Sequence, residues 1–348
     1  MRPKIQRFFM LFLAVLLCLS GCGKKEEALT DPEDMVSSGP GYPDVAAGQS
    51  YFYYKNCYGE LYAISAGNQK KTALGAGKLL GADEQYAYIW QESKLRVMDG
   101  AKQAAEFDCL LVPSYWSTKN GCAYFSVENE DASCSLLILR LSSLMMEQHQ
   151  VGVQIMSAAV EENQFYYVRF NTENKQILCR YDLESAEEQL LSELGFSSRF
   201  PRVIYVSQRL YYATDTKFCC YHLAGETEEI LLQAEVTSVQ YNGDLAYIQY
   251  NKDQEHYLWI YDTVKEKLIS DEKSGLSIAS NDFGLTFWED GKYWFEKETE
   301  KVDFKDRPIR VVCGSPAGLI VGTWSREVLI AFKKSEGGYR VQLVEKPF

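Results

Sequence analysis

Three histidines in 348 residues, nine prolines and no two cysteines spaced C-x-x-C leave little room for several common chemistries. Without C-x-x-C the usual zinc spacing is missing. Bases are also short: 36 against 48 acids, a net charge of −12. A chain this acidic is repelled by phosphate backbones, which argues against a nucleic-acid partner. Long apolar runs are absent after the first twenty residues, and no helical period follows them. Aromatic side chains are what the chain does have, with 24 Tyr, 17 Phe and 6 Trp. Together with 46% hydrophobic and 24% charged residues, they point to a globular body built on aromatic strands.

The N-terminus reads as an address. Met1–Arg7 is short and basic, Phe8–Leu19 is uninterrupted and apolar, and Ser20-Gly21-Cys22 follows. Thirteen apolar or small residues reach about 20 Å as a helix, short of the ~30 Å hydrocarbon core, so the run is expected to be a signal h-region. Leu19-Ser20-Gly21-Cys22 matches the lipobox of bacterial lipoprotein signal peptides at each position. The resemblance implies cleavage before Cys22 and a diacylglyceryl thioether on its thiol, the soft nucleophile such a bond requires. Loss of residues 1–21 removes three bases and no acid, taking −12 to −15. Residues 22–43 hold three Pro and seven charges with no apolar period, the composition of a flexible tether. Gly23 follows Cys22 where an Asp would favour inner-membrane retention, so the kind of bacterium stays open.

From residue 44 to 348 one pattern recurs. Apolar-aromatic strands read YFYY (51–54), YAYIW (86–90), CAYF (122–125), FYYV (165–168), LYYA (210–213), LAYI (245–248), LTFW (285–288) and LIVG (319–322). Their third positions, Tyr53, Tyr88, Tyr124, Tyr167, Tyr212, Tyr247, Phe287 and Val321, fall 34 to 45 residues apart. A following strand repeats Tyr181, Tyr221 and Tyr261 at forty-residue intervals, each ahead of a polar residue where the strand should end. A weaker third strand comes next, and a further one (LLVPSYW, RVIYVSQ, VTSVQY) lies between units. Four short strands per unit of about 40 residues is the arithmetic of an all-β protein, a β-propeller of four-stranded antiparallel sheets. Eight blades are expected, with seven and an irregular hairpin as the alternative. The phrasing LYYATD…CYHLAGETEEILL resembles bacterial extracytoplasmic lipoproteins with TolB-like or YWTD-like propellers.

Candidate chemistry is sparse. Cys57, Cys109, Cys122, Cys134, Cys179, Cys219, Cys220 and Cys313 lie mostly within strands and are expected to be unpaired core thiols, with Cys134 facing about Val127. Ser280-Asn281-Asp282-Phe283-Gly284-Leu285-Thr286-Phe287 matches the Asp-box of sialidase-type propellers and reads as a turn capped by its Asp and Ser. His149, His222 and His256 fall on three units, and Gly75-Ala76-Gly77-Lys78 is a turn between units rather than a phosphate loop. Glu187–Glu188 and Glu228–Glu229 read as solvated charges on outer edges. The longest loops, 128–133, 170–176, 193–202 and 250–256, are where a ligand would be met.

These readings assign no catalytic residue, cofactor or metal, and name Cys22 as the one modification site. The expected protein is a propeller lipid-anchored on the extracytoplasmic face of a bacterial membrane, a non-enzymatic platform for an unidentified protein or glycan. A glycan-active or hydrolytic enzyme, recognisable by convergent carboxylates at the axis, is one alternative. The other is an accessory or sensor subunit of a membrane complex, recognisable by an exposed apolar patch.

Overall fold

The computed structural model describes residues 45–131, 133–196, 202–296, 298, 300–305 and 307–346, with Trp116 described by its backbone alone. The signal segment, Cys22 and the tether lie outside them. The chain divides into units 1–34 and 35–348, and all that follows concerns the second.

Thirty-two strands form eight four-stranded antiparallel sheets, an eight-bladed β-propeller; the alternative of seven blades does not hold. Each blade takes four consecutive strands: 45–76, 78–108, 114–151, 157–195, 204–233, 235–273, 277–303 and 309–345. The column of Tyr53, Tyr88, Tyr124, Tyr167, Tyr212, Tyr247, Phe287 and Val321 falls in the second strand of every blade. Tyr181, Tyr221 and Tyr261 fall in third strands, which end at Asp182, His222 and Asp262. Asp182 accepts the amides of Glu184 (3.0 Å) and Ser185 (2.8 Å), and Asp262 does the same for Lys265 (2.8 Å), so the polar residue shapes the turn that stops the strand. The strand placed between units by sequence is the innermost strand of the next blade, so each unit begins one strand earlier than its aromatic run.

Blades pack face to face, and strand periodicity divides each second strand between two neighbours. Phe165 and Tyr167 join the core shared with blade 3, whereas Tyr166 and Val168 join the core shared with blade 5. Eight such clusters fill the eight interfaces of the ring. A strand buried on both faces has to be apolar at consecutive positions, which is why these runs do not alternate. Tyrosine serves here because its body packs while its hydroxyl can reach the blade's edge. Tyr167 donates to Glu188, Tyr212 to Glu228, and Tyr250 to Asp271 at 2.7 Å.

Those contacts revise one expectation. Glu188 and Glu228 do sit on outer strands, but they are tied inward, with Arg169 and Lys217 as additional partners. Burial is also the fate of most of the thiols. All eight described cysteines are unbridged, and burial pushes Cys109 and Cys220 up to about 11 and Cys179, Cys219 and Cys313 up to about 12. Cys134 pairs with Glu128, one residue beyond the expected Val127.

Among the described residues no strand is exchanged between the first and last blades, and side chains close the ring. Val45, Phe52 and Tyr54 of blade 1 pack with Ile320, Ile330 and Phe332 of blade 8. Phe52 meets Phe332 edge to face, with centroids 5.6 Å apart. Around this apolar seam Tyr54 donates to Glu345 at 2.9 Å, and Lys71 pairs with the same carboxylate at 2.9 Å.

Phe332→Ala should therefore destabilise the protein by about 3–5 kcal/mol in urea unfolding. Leu343→Ala, on the exposed outer strand of the same blade, should stay within about 0.5 kcal/mol. Equal losses would show that the seam is not the closure.

Candidate functional site

Within each blade the inner and third strands run one way and the second and outer strands the other. The tight turns joining first to second and third to fourth strands thus share one end of the ring, the turn end. The second-to-third loops and the connections between blades share the opposite end, the connection end. Three of the four segments expected to be long loops, at 128–133, 170–176 and 193–202, lie at the connection end, residues 197–201 being outside the described ones. The fourth, 250–256, is a hairpin pointing the same way rather than a long loop, turning on Asp253 and Gln254, both with positive φ.

Exposed apolar side chains divide unevenly between the ends. Leaving aside those on outer strands, six of the seven large ones are at the connection end: Tyr58, Leu110, Leu111, Phe170, Phe196 and Trp324. Val264 is the one at the turn end. Leu110 is 81% exposed and Phe196 75%, values that solvent alone does not favour for such side chains.

The axis is polar. Blades 3 and 7 lie opposite one another in the ring, yet Asp282 of blade 7 accepts a hydrogen bond from the Tyr115 hydroxyl of blade 3 and one from Thr118 Oγ1 at 3.3 Å. It therefore spans the axis at the turn end. Tyr115 can reach it because Gly81 leaves space: a Cβ there would stand 2.5 Å from the Tyr115 ring. The ring also stacks against Tyr88, 5.1 Å away, whose hydroxyl donates to Asp83. Asp83 further accepts the amides of Gln85 (2.8 Å) and Tyr86 (2.7 Å). Burial, and then the negative field of Asp83, hold the Asp282 carboxyl well above the ordinary carboxylate range.

A second polar group lies between blades 5, 6 and 7. Arg202, two residues before the inner strand of blade 5, donates from Nη1 to Ser280 Oγ (2.6 Å) and Gln240 Oε1 (3.4 Å). Ser280 donates in turn to Gln240 at 2.6 Å. The Arg202 guanidinium stands 5.9 Å from the Tyr241 ring centre, and the Tyr241 hydroxyl donates to the Arg202 carbonyl at 3.4 Å. Burial pulls the Arg202 pKa down, since no carboxylate of a described residue lies within ion-pair distance. The blade 6–7 interface it spans has the smallest apolar cluster, Leu258, Ile278 and Leu285 at its centre.

At the turn end, between blades 4 and 5, a polar cleft of about 400 Å³ is lined by Glu162, Arg180, Asp182 and Glu184. The stacked rings of Tyr166 and Tyr205, 5.6 Å apart, form one wall.

The Asp-box resemblance located a real turn but misassigned its side chains. Gly284 takes φ +140°, and it is Asn281 that caps, accepting the Phe283 amide at 2.9 Å. Asp282 and Ser280 leave the turn for the axis. His149, His222 and His256 sit on blades 3, 5 and 6, as expected, and Gly77 alone links blades 1 and 2. Among the described residues no His, Cys, Asp and Glu group has the arrangement of a metal site. Sequence reading missed the cleft and the roles of Tyr115 and Arg202, although Arg202 ends the segment 193–202 expected to meet a ligand. Their partners lie far along the chain, Tyr115 and Asp282 being 167 residues apart, and such pairs leave no local period.

A carboxyl whose folded pKa is raised binds its proton more tightly folded than unfolded. The stability it contributes is full below the ordinary carboxylate range and is lost as pH rises towards the folded value. Relative to Asp282→Asn, the wild-type melting temperature should therefore fall as pH rises above the ordinary carboxylate range, from about pH 4 upward. A constant difference as pH rises would refute the desolvated carboxyl.

No protein-family model matches the chain, and no curated protein matches it in sequence. Solved structures do. Apo AztD from Citrobacter koseri superposes with a TM-score of 0.56 at 11% identity, over 86% of this chain and 95% of that one. A KlHsv2 variant with loop 6CD replaced by a Gly-Ser linker gives 0.47 at 11%, over 76% and 95%. The β-propeller domain of the Trilobed protease from Pyrococcus furiosus, described as having an open velcro topology, gives 0.44 at 12%, over 68% and 83%. At these identities the likeness is one of fold.

Proposed function

We propose that the protein is a lipid-anchored, extracytoplasmic, non-enzymatic docking platform whose working surface is the connection end of the propeller. One observation carries this reading: six exposed large apolar side chains stand at that end against one at the other. Such a surface is held exposed at a cost unless a partner covers it. Val45 opens the inner strand of blade 1, so the chain enters the ring at this same end. An apolar end of this kind fits an accessory subunit of a membrane complex better than a free-ranging binder.

A hydrolytic reading draws on the raised Asp282 carboxyl beside Asp83. It is the weaker one, because both carboxylates are engaged by protein donors: Asp83 by two amides and Tyr88, Asp282 by Tyr115 and Thr118.

Two measurements test the platform. Cys22→Ala should move the protein from the membrane fraction to the soluble fraction; retention in the membrane would remove the anchor. A photo-reactive phenylalanine analogue at Phe196 or Tyr58 should form one discrete protein adduct in native membranes, while the same group at Val264 should not. Equal labelling at both ends, or none at either, would overturn the docking surface.

A further inference from the structure

We infer that Arg202 is the core of a carboxylate-binding site inside the ring. The inference starts from how the guanidinium is held. Nη1 is fixed by Ser280 and Gln240, both neutral. Nε and Nη2, whose N–H bonds point the same way, donate to no described residue. That edge is the side-on fork that grips a carboxylate through two parallel hydrogen bonds. Arg202 is part-buried as a residue, and burial depresses its pKa, so its charge is desolvated. A buried cation without a counter-ion is costly, and an incoming anion relieves that cost.

The surrounding charges give the approach a direction. At the turn end an anion meets Asp282, Asp83 and Glu84, whose fields add at Asp282. At the connection end stand Arg326, in the second-to-third loop of blade 8, and Arg310, on that blade's inner strand, whose pKa burial and then the Arg326 charge pull down. A negative ligand therefore enters from the connection end and is stopped near Arg202. Elsewhere the protein is acidic, so the site is an island of opposite sign within a chain of net charge −12. The ligand class that fits is a small organic acid with at least one accessible carboxylate.

Arg202 also bridges blades 6 and 7, and a purely structural role has to be separated from binding. Acetate, succinate, citrate and inorganic phosphate serve as probes in calorimetric titrations of the folded protein against sodium chloride of equal ionic strength. At least one carboxylate should bind saturably. Arg202→Lys, which keeps the charge and loses the fork, should weaken it by about tenfold or more. Arg202→Met should abolish it, and Ser280→Ala, which frees Nη1, should weaken it by a smaller factor. Thermal unfolding without probe reports folding, so if Arg202→Met does not fold, the Lys and Ala variants still decide the matter. No saturable binding by any carboxylate, binding by phosphate alone, or unchanged binding in Arg202→Lys would each overturn the site.

Discussion

A ring whose sheets are each made from one unbroken stretch of chain has only its side chains to keep it shut. Among the described residues every blade boundary, including that between blades 1 and 8, is a contact of two sheet faces with no shared strand. That constraint accounts for the composition. Sheets buried on both faces need consecutive large apolar residues, and aromatic ones bury the most area per position. Tyrosine is admissible at such density only where its hydroxyl finds an acceptor. The outer strands provide it: Glu188 for Tyr167, Glu228 for Tyr212, Asp271 for Tyr250 and, across the closing seam, Glu345 for Tyr54. Part of the chain's acidity is thus a requirement of its own tyrosines.

The same architecture explains why polar chemistry collects at the axis. Inner strands converge there with edges that no fifth strand pairs, and apolar filling would leave their backbone groups unsatisfied. Asp282 with Tyr115, and Arg202 with Ser280 and Gln240, occupy that space with hydrogen-bonding groups from different blades. At the axis Asp282, Asp83 and Glu84 put negative charge at the turn end, whereas exposed aromatics and leucines collect at the other. The two ends of the ring are therefore chemically distinct although the blades are built alike.

What the sequence made legible was whatever repeats. The aromatic column and the Tyr-polar strand ends recur because each blade solves the same local problem, and they placed all eight second strands correctly. Unit boundaries were displaced by one strand, since the inner strand, bearing serines and alanines beside its apolar residues, carries a weaker pattern than the one after it. Residues 250–256 looked like a loop because polar side chains on two long strands resemble one, but Lys252 and Glu255 pair across a tight turn. The roles of Asp282 and Arg202 could not be read, because their meaning depends on which blade stands opposite or two places along, and only ring closure fixes that.

Closure has a temporal side as well. Tyr54 and Glu345 are 291 residues apart, and the seam they border joins the first blade to leave a ribosome with the last. Contacts this distant along the chain form late, because the loop they close is almost the whole molecule. Until then the molecule is an arc with two uncovered aromatic faces, Phe52 at one end and Phe332 at the other. Residues 309–345 thus act as the keystone, and any interruption of synthesis before them leaves both faces open to whatever else is nearby.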